Sequence, residues 1–343
     1  MNPIMASLII SSLALGTMIT LSSFHWLLAW IGLELNTLAI IPIIAKQHTP
    51  RATEAATKYF LTQAAASATL LFSSTVNAWS VGTWDILQLT NLPACVLLTT
   101  ALSMKLGLAP LHFWLPEVLQ GTSLKTALII TTWQKLAPLA LLYLTHHSLH
   151  TPTLLTMGLL STLIGGWSGL NQTQTRKIMA YSSIAHLGWM ASILTLSPDI
   201  MLLNLALYIL MTLSMFMLLI LSSSKTIKDM TTTWMISPTI SALILLLLMS
   251  LGGLPPLTGF MPKWLILQEL ISHSLTTTAT MMALSALLSL FFYLRLSYMM
   301  TLTLSPTTTQ NKLKWRLQPK LNTTLSTTLM LITLLLPMTP LLT

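Results

Sequence analysis

Apolar runs, each about as long as a bilayer is thick, alternate along this chain with short clusters of charged and turn-forming residues. About 20 apolar residues cross the hydrocarbon. Some eleven runs qualify: 3–22, 24–45, 55–78, 92–120, 124–146, 151–171, 174–196, 200–222, 238–271, 275–301 and 322–342. The first separation, Leu21-Ser22-Ser23-Phe24, demands a very tight turn. The fourth run carries Lys105-Leu106-Gly107-Leu108-Ala109-Pro110-Leu111-His112-Phe113-Trp114-Leu115-Pro116-Glu117. Pro110 has no N–H to donate, and in a continuous helix it would free the carbonyl of Leu106. The ninth run is broken in the same manner by Leu251-Gly252-Gly253-Leu254-Pro255-Pro256, ending at Lys263.

Broken spans are tolerated only where protein or a wet cavity receives the loose backbone groups. Five spans reverse the chain direction, so breaks in the fourth and ninth fit an inverted pair. Gly/Pro-interrupted spans in corresponding places of two halves point to a transport site. The expected fold is therefore an all-α membrane protein of about eleven transmembrane helices. It comprises two inverted five-helix repeats, 1–146 and 151–301, each with a broken helix. A basic inner-side loop, 302–321, leads to one C-terminal helix, 322–342.

Composition and charge sharpen this picture. Hydrophobic residues make up 54% and charged residues only 7%, against about 25% charged in soluble domains. Mean hydropathy is +0.77. The single cysteine, Cys95, excludes a disulfide or a cysteine-ligated iron–sulfur cluster within the chain. The net charge of +9 would suit nucleic acid, but its placement reads as membrane topology. Lys46, Arg51, Lys58, Lys125, Arg176, Lys177, Lys225, Lys228, Lys312, Lys314, Arg316 and Lys320 follow even-numbered spans. No lysine or arginine follows an odd-numbered one, so the basic side faces the matrix or cytoplasm. The N-terminus then lies inside and the C-terminus outside. Met1-Asn2-Pro3 opens without a basic, cleavable leader, which suggests synthesis in the compartment that houses the protein. There is no phosphate-cradling glycine loop, HExxH or Ser-His-Asp set, so neither nucleotide binding nor bond chemistry is expected of this chain.

The other basic residues, Lys105, Lys135, Lys263 and Arg295, fall inside spans, with Glu34 in the second and His186 in the seventh. A lysine at mid-membrane costs about 2.5–3.5 kcal/mol. Three such lysines against one mid-depth carboxylate are poorly explained as static pairs. Desolvated lysine can give up its proton, whereas arginine cannot, so the lysines are relay candidates and Arg295 reads as electrostatic or as snorkelling inward. Glu34 would be held ionised by a nearby lysine; a static structural pair is the alternative. Lys105 and His112, two turns apart, would share a face of an unbroken helix. For His112 and for His186, with Ser182 and Ser183 one turn back, a relay and a structural hydrogen bond are both open. Lys135, beside Pro138, and Lys263 could each be a structural counter-ion. Glu117 and His25 sit at membrane boundaries with either reading open. Ala64–Ala68 and Gly165-Gly166 supply small faces for close helix packing.

With these residues in place the chain resembles the antiporter-like membrane subunits of respiratory complex I, NADH:ubiquinone oxidoreductase, relatives of Mrp-type cation/proton antiporters. The resemblance rests on Trp30–Asn36 around Glu34, Lys105 with Gly107–Pro116, Lys135, Ala180–His186 and Gly252–Lys263. It implies that Glu34 and Lys105 match the family's charge pair on neighbouring helices. Lys135 matches the central lysine, and Lys263 the lysine of the second broken helix. It implies a single antiporter-like domain that lacks the first three of the family's fourteen helices. It also implies proton translocation through a mid-membrane line of Glu, Lys, His and water in the mitochondrial inner membrane, driven by redox chemistry elsewhere. NADH, FMN, iron–sulfur clusters and ubiquinone would belong to other subunits, with no cofactor in this chain. Implied partners are another antiporter-like subunit, small membrane subunits, accessory subunits and lipids such as cardiolipin. A stand-alone cation/proton antiporter and a non-transporting scaffold are the competing readings; the scarcity of carboxylates speaks against the first.

Overall fold

Proline and glycine set the ends of the helices. Pro3, Pro50, Pro93 and Pro238 occupy first-turn positions, where a missing N–H costs nothing, and Gly82, Gly107 and Gly253 terminate helices in the left-handed conformation. Side-chain caps from His25, Thr49, Ser123, Thr226 and Ser237 satisfy other starts. The computed structural model describes residues 2–302, 323–334 and 336–338. Its helices are α1 (Pro3–Ser22), α2 (Trp26–Ile44), α3 (Pro50–Val81), α4 (Leu92–Leu106), α5 (Trp114–Gly121), α6 (Leu124–Thr131), α7 (Trp133–Leu144) and α8 (Thr151–Gly169). They continue as α9 (Thr175–Ile193), α10 (Pro198–Ser222), α11 (Ile227–Thr231), α12 (Thr233–Ile236), α13 (Pro238–Gly252), α14 (Phe260–Ser272), α15 (Thr276–Leu302) and α16 (Thr323–Leu334). Among the described residues extended pairing is limited to two isolated bridges, His25 with Asp85 and Gln174 with Thr226. The basic loop read at 302–321, apart from Leu302, and the last span outside α16 and Leu336–Met338 lie outside the described residues.

Among the described residues, five helical stretches are long and apolar enough to cross a membrane: Pro3–Ser22, Trp26–Gln47, Leu124–Leu144, Pro198–Ser222 and Thr276–Leu302. The runs expected at 92–120 and 238–271 fail that length test because each is cut in two. Large apolar side chains such as Ile4, Leu8, Leu15, Leu284, Leu287 and Phe291 point outward, as lipid-facing helices require.

Both expected breaks are present and alike. α4 ends on Gly107 (φ 80°) and α13 on Gly253 (φ 81°). The amides of Leu108 and Leu254 return to the carbonyls of Ser103 and Met249, closing each helix in a Schellman-like cap. The stretches Gly107–Glu117 and Gly253–Lys263 share Gly, Leu, Pro, Leu and Pro at the same offsets. Pro116 and Pro262 sit in the first turns of α5 and α14, where proline is accepted.

Two expectations are corrected. Pro110 lies in the connection after α4 has ended, so the released carbonyls are those of a helix terminus rather than that of Leu106 alone. The run 124–146 is also interrupted: α6 stops at Thr131, Thr132 adopts φ −110°, ψ −70°, and α7 starts at Trp133. The hydroxyls of Thr131 and Thr132 bond back to Leu128 O at 3.1 and 2.7 Å, competing with the helix ladder.

The helices group into two units. The first runs to Ser161 and includes Leu194–Pro198; the second takes Thr162–Ile193 and the chain from Asp199. In the first, α1 packs closely on α2 through Gly16 and Gly32, and α3 contacts α2, α4 and α5. In the second, α13 and α14 pack on α15, and α9 meets α14 and α15. Gly165 on α8 lies so near Ala185 that a Cβ there would come within 2.8 Å of its nitrogen, as the small-residue reading anticipates. Arg295 donates to Leu170 O just past the end of α8; its guanidinium serves as a C-terminal cap within the unit.

Candidate functional site

In the first unit, six helices line a small cavity, about 20 Å³ for water centres, enough to hold water. Its polar lining is Asn36 and Thr37 from α2, Tyr59 and Gln63 from α3, Lys105 from α4, and Gln134 and Lys135 from α7. The structure therefore brings two of the three mid-span lysines to one cavity. Lys105 reaches it from the last turn of α4, before Gly107 ends the helix. Lys135 reaches it from the first turn of α7, just past the interruption at Thr132. Each lysine stands beside a break in its helix.

Lys105 is 6% exposed, and its Nζ meets no protein acceptor. Glu34, on α2 between cavity-lining Leu33 and Asn36, acts on Lys105 through space. The two do not approach within 4.0 Å as an ion pair, and Glu34 Oε2 likewise has no donor. Glu34 and Lys105 therefore form no closed salt bridge, and what joins them is the through-space interaction. A buried ion without a direct partner is costly unless water or a mobile proton serves it.

The other groups are placed differently. His112 lies within the first break, beyond the turn at Gly107, so it does not share a helix face with Lys105. Its buried Nδ1 has no side-chain partner, and its ring lies 4.4 Å from that of Phe113. The carbonyl of Met104, freed at the end of α4, accepts the Trp114 indole at 3.0 Å. Glu117 forms an ion pair with Lys58 at 2.7 Å, tying α5 to α3, while Lys58 also meets Glu54. His25 accepts the amide of Leu27 and stacks on Trp84 at 5.7 Å.

In the second unit Lys263 is 8% exposed and donates to Gly252 O at 2.8 Å. Its ammonium thus caps the C-terminal end of α13, where the helix dipole favours a cation. Gly253 makes room: a Cβ there would stand 2.9 Å from Nζ. His186, on α9, packs its ring 5.6 Å from Tyr208. Ser182 and Ser183 donate to Met179 O and Ala180 O, and Ser183 also hydrogen-bonds the Tyr208 hydroxyl.

Sequence reasoning did not assign roles to Asn36, Tyr59, Gln63, Gln134 or Trp114. The signal for the three carboxamides was available, since each is an isolated amide in an apolar span. Trp114 could not be found so, because only the return of the chain after Gly107 puts its indole on Met104.

Comparison with known proteins gives the chain a family. The family described as "NADH:quinone oxidoreductase/Mrp antiporter, TM" matches residues 23–291, and "NADH dehydrogenase subunit 2 C-terminus" matches 290–343. NADH-ubiquinone oxidoreductase chain 2 of Xenopus laevis is 60% identical over 342 residues, covering 99% of both chains. Its namesake from Squalus acanthias is 59% identical over 343 residues, covering 99% of this chain and 98% of the other. A chain of respiratory complex I from Thermus thermophilus superposes with TM-score 0.81 at 27% identity, covering 96% of this chain and 79% of that one. A chain of the Mrp complex from Dietzia sp. DQ12-45-1b shares the fold, with TM-score 0.76 at 16% identity over 88% of this chain and 61% of that one. This chain belongs to the NADH:quinone oxidoreductase/Mrp antiporter transmembrane family.

Proposed function

We propose that the chain is a membrane-arm subunit of proton-translocating NADH:ubiquinone oxidoreductase and that its buried lysines carry protons. The reading rests on the cavity where Lys105 and Lys135 converge among amide and hydroxyl groups, with Lys105 Nζ free of any protein acceptor. The near end-to-end likeness to chain 2 proteins supports the subunit assignment. Redox energy released elsewhere in the complex perturbs Glu34 and, through it, Lys105. Protons held at Lys105 and Lys135 are handed on toward Lys263, whose bond to a helix-terminal carbonyl gives it a place to wait. His112 and His186 stand as secondary carriers.

The finer architecture belongs to the same proposal: eleven spans in two inverted five-helix repeats with one helix appended. So does an inner mitochondrial membrane setting with the N-terminus in the matrix and the C-terminus in the intermembrane space. NADH, FMN, iron–sulfur clusters and ubiquinone act on other subunits; the lone Cys95 supports that division. Another antiporter-like subunit, small and accessory subunits and cardiolipin complete the proposed surroundings.

Replacing Lys135 with methionine in the complex, reconstituted into vesicles, tests the reading. Proton yield per NADH oxidised should fall. An unchanged yield in an assembled complex would leave only the scaffold role, and sodium- or potassium-driven proton exchange by the chain alone would favour the antiporter.

A further inference from the structure

Asn36 is 2% exposed, and neither polar atom of its carboxamide has a hydrogen-bond partner in the protein. A buried amide left in that condition costs about 1–3 kcal/mol, so the fold gains nothing from choosing it over leucine, which is similar in size. The surroundings nevertheless hold it in place. α1 presses against α2 at Gly16, where a Cβ would meet Asn36 Oδ1 at 2.5 Å and Gly32 O at 2.9 Å. The missing side chain of Gly16 leaves room for the carboxamide oxygen against α1, and the residue also lines the cavity with Lys105 and Lys135. The backbone is fixed as well, because Gln134 Nε2 donates to Asn36 O at 3.3 Å. Gln134 is the residue before Lys135, so this bond links the α2 position two residues past Glu34 directly to the turn that presents the second lysine.

We propose that Asn36 is a positioning residue for proton transfer: its carboxamide orients water between Lys105 and Lys135, and Gln134 holds the two helices in register. A primary amide suits this role. It offers two donors and an acceptor, so it can accept from one water and donate to the next. It does not titrate, and so it neither traps the proton nor competes with the lysines for it. A carboxylate in its place would bind a lysine as a fixed counter-ion, and an apolar residue would interrupt the water. The same geometry explains a buried amide without a protein partner two residues past Glu34 in a helix that is otherwise largely apolar.

The inference rests on the relay reading above, and the test separates the two. The assembled complex would carry Asn36→Leu, Asn36→Ala, Asn36→Asp or Lys135→Met and be reconstituted into vesicles. Complex assembly, thermal midpoint and NADH-driven proton uptake would be followed across pH. Asn36→Leu and Asn36→Ala should assemble with a thermal midpoint at or above that of the unsubstituted complex. Their proton uptake should fall, by up to about 100-fold, the scale of misplacing a reacting group by about 1 Å. Asn36→Asp, with the same shape but an oxygen that titrates and can fix a lysine as counter-ion, should lower uptake as well and shift its pH profile. Normal uptake in the leucine and alanine variants while Lys135→Met fails would overturn the role of Asn36 alone. Normal uptake in all of them would overturn the relay itself. Failure of both leucine and alanine variants to assemble would make the carboxamide a structural group and equally end the proposal.

Discussion

Three glycines end helices at nearly the same left-handed φ, but they differ in what stands beside them. Around Gly82 (φ 80°) nothing lies within 4 Å of the space a Cβ would fill, whereas Gly253 (φ 81°) faces Lys263 Nζ at 2.9 Å. Alanine in the left-handed region costs about 1–2 kcal/mol at either site. At Gly253 the new methyl also displaces the lysine end, and the bond from Nζ to Gly252 O at 2.8 Å is lost. A hydrogen bond involving a charged group contributes about 1.5–3 kcal/mol. The two variants should therefore differ by about that amount, a factor of roughly 10–150 in the population of the ordered second break. Both substitutions would be made in the full complex, followed by thermal midpoint and by NADH-driven proton uptake into vesicles. Gly82→Ala should lower the midpoint slightly and leave uptake intact. Gly253→Ala should lower the midpoint further and depress uptake. Equal behaviour in both assays would refute the claim that the carbonyl at the end of α13 is the seat of Lys263.

Other outcomes follow from single contacts. Trp114→Phe removes the donor to Met104 O and should cost about 1–3 kcal/mol for the carbonyl left unsatisfied, read as a lower thermal midpoint of the complex. Arg295→Met should destabilise on a similar scale by uncapping Leu170 O, while proton yield per NADH stays unchanged; a lowered yield would make Arg295 part of the relay. Asp229 closes a capping box on α11 with Thr226, accepting the amides of Lys225 and Thr226. Partial burial pushes its carboxyl up, but those amides together with Thr226 and Lys225 hold it below the ordinary range. Its contribution is present above the unfolded carboxyl's value, about 3.9, and is lost as pH falls through the lower folded value. Asp229→Asn should cost about 1 kcal/mol near neutrality, and its midpoint should converge with the unsubstituted protein's below pH ~3.9.

Much of this arrangement was legible before any coordinates, for physical reasons. Broken helices need Gly and Pro, so the interruptions after Lys105 and before Lys263 are written in residues that do little else in an apolar span. Mid-membrane charge is costly enough that Lys105, Lys135, Lys263 and Glu34 stand out by position alone. The break beside Lys135 was not legible, because Thr131 and Thr132 also occur in helices that run unbroken. Which break receives which side chain was also hidden. Two stretches with matching Gly, Leu and Pro end in Glu117 and Lys263, yet Glu117 turns to Lys58 and Lys263 turns back to Gly252. That outcome depends on where α3 and α13 pass, which local pattern does not encode. The distance between Glu34 and Lys105 likewise depends on packing among α2, α3 and α4.

The account turns on Lys135 exchanging its proton rather than merely carrying charge, and Lys135→Arg separates the two. Arginine keeps the positive charge but cannot practically release a proton. In the assembled complex, proton yield per NADH should fall with Lys135→Arg as it does with Lys135→Met. A Lys135→Arg complex that pumps as fully as the unsubstituted one would contradict the relay and leave Lys135 as a fixed counter-charge.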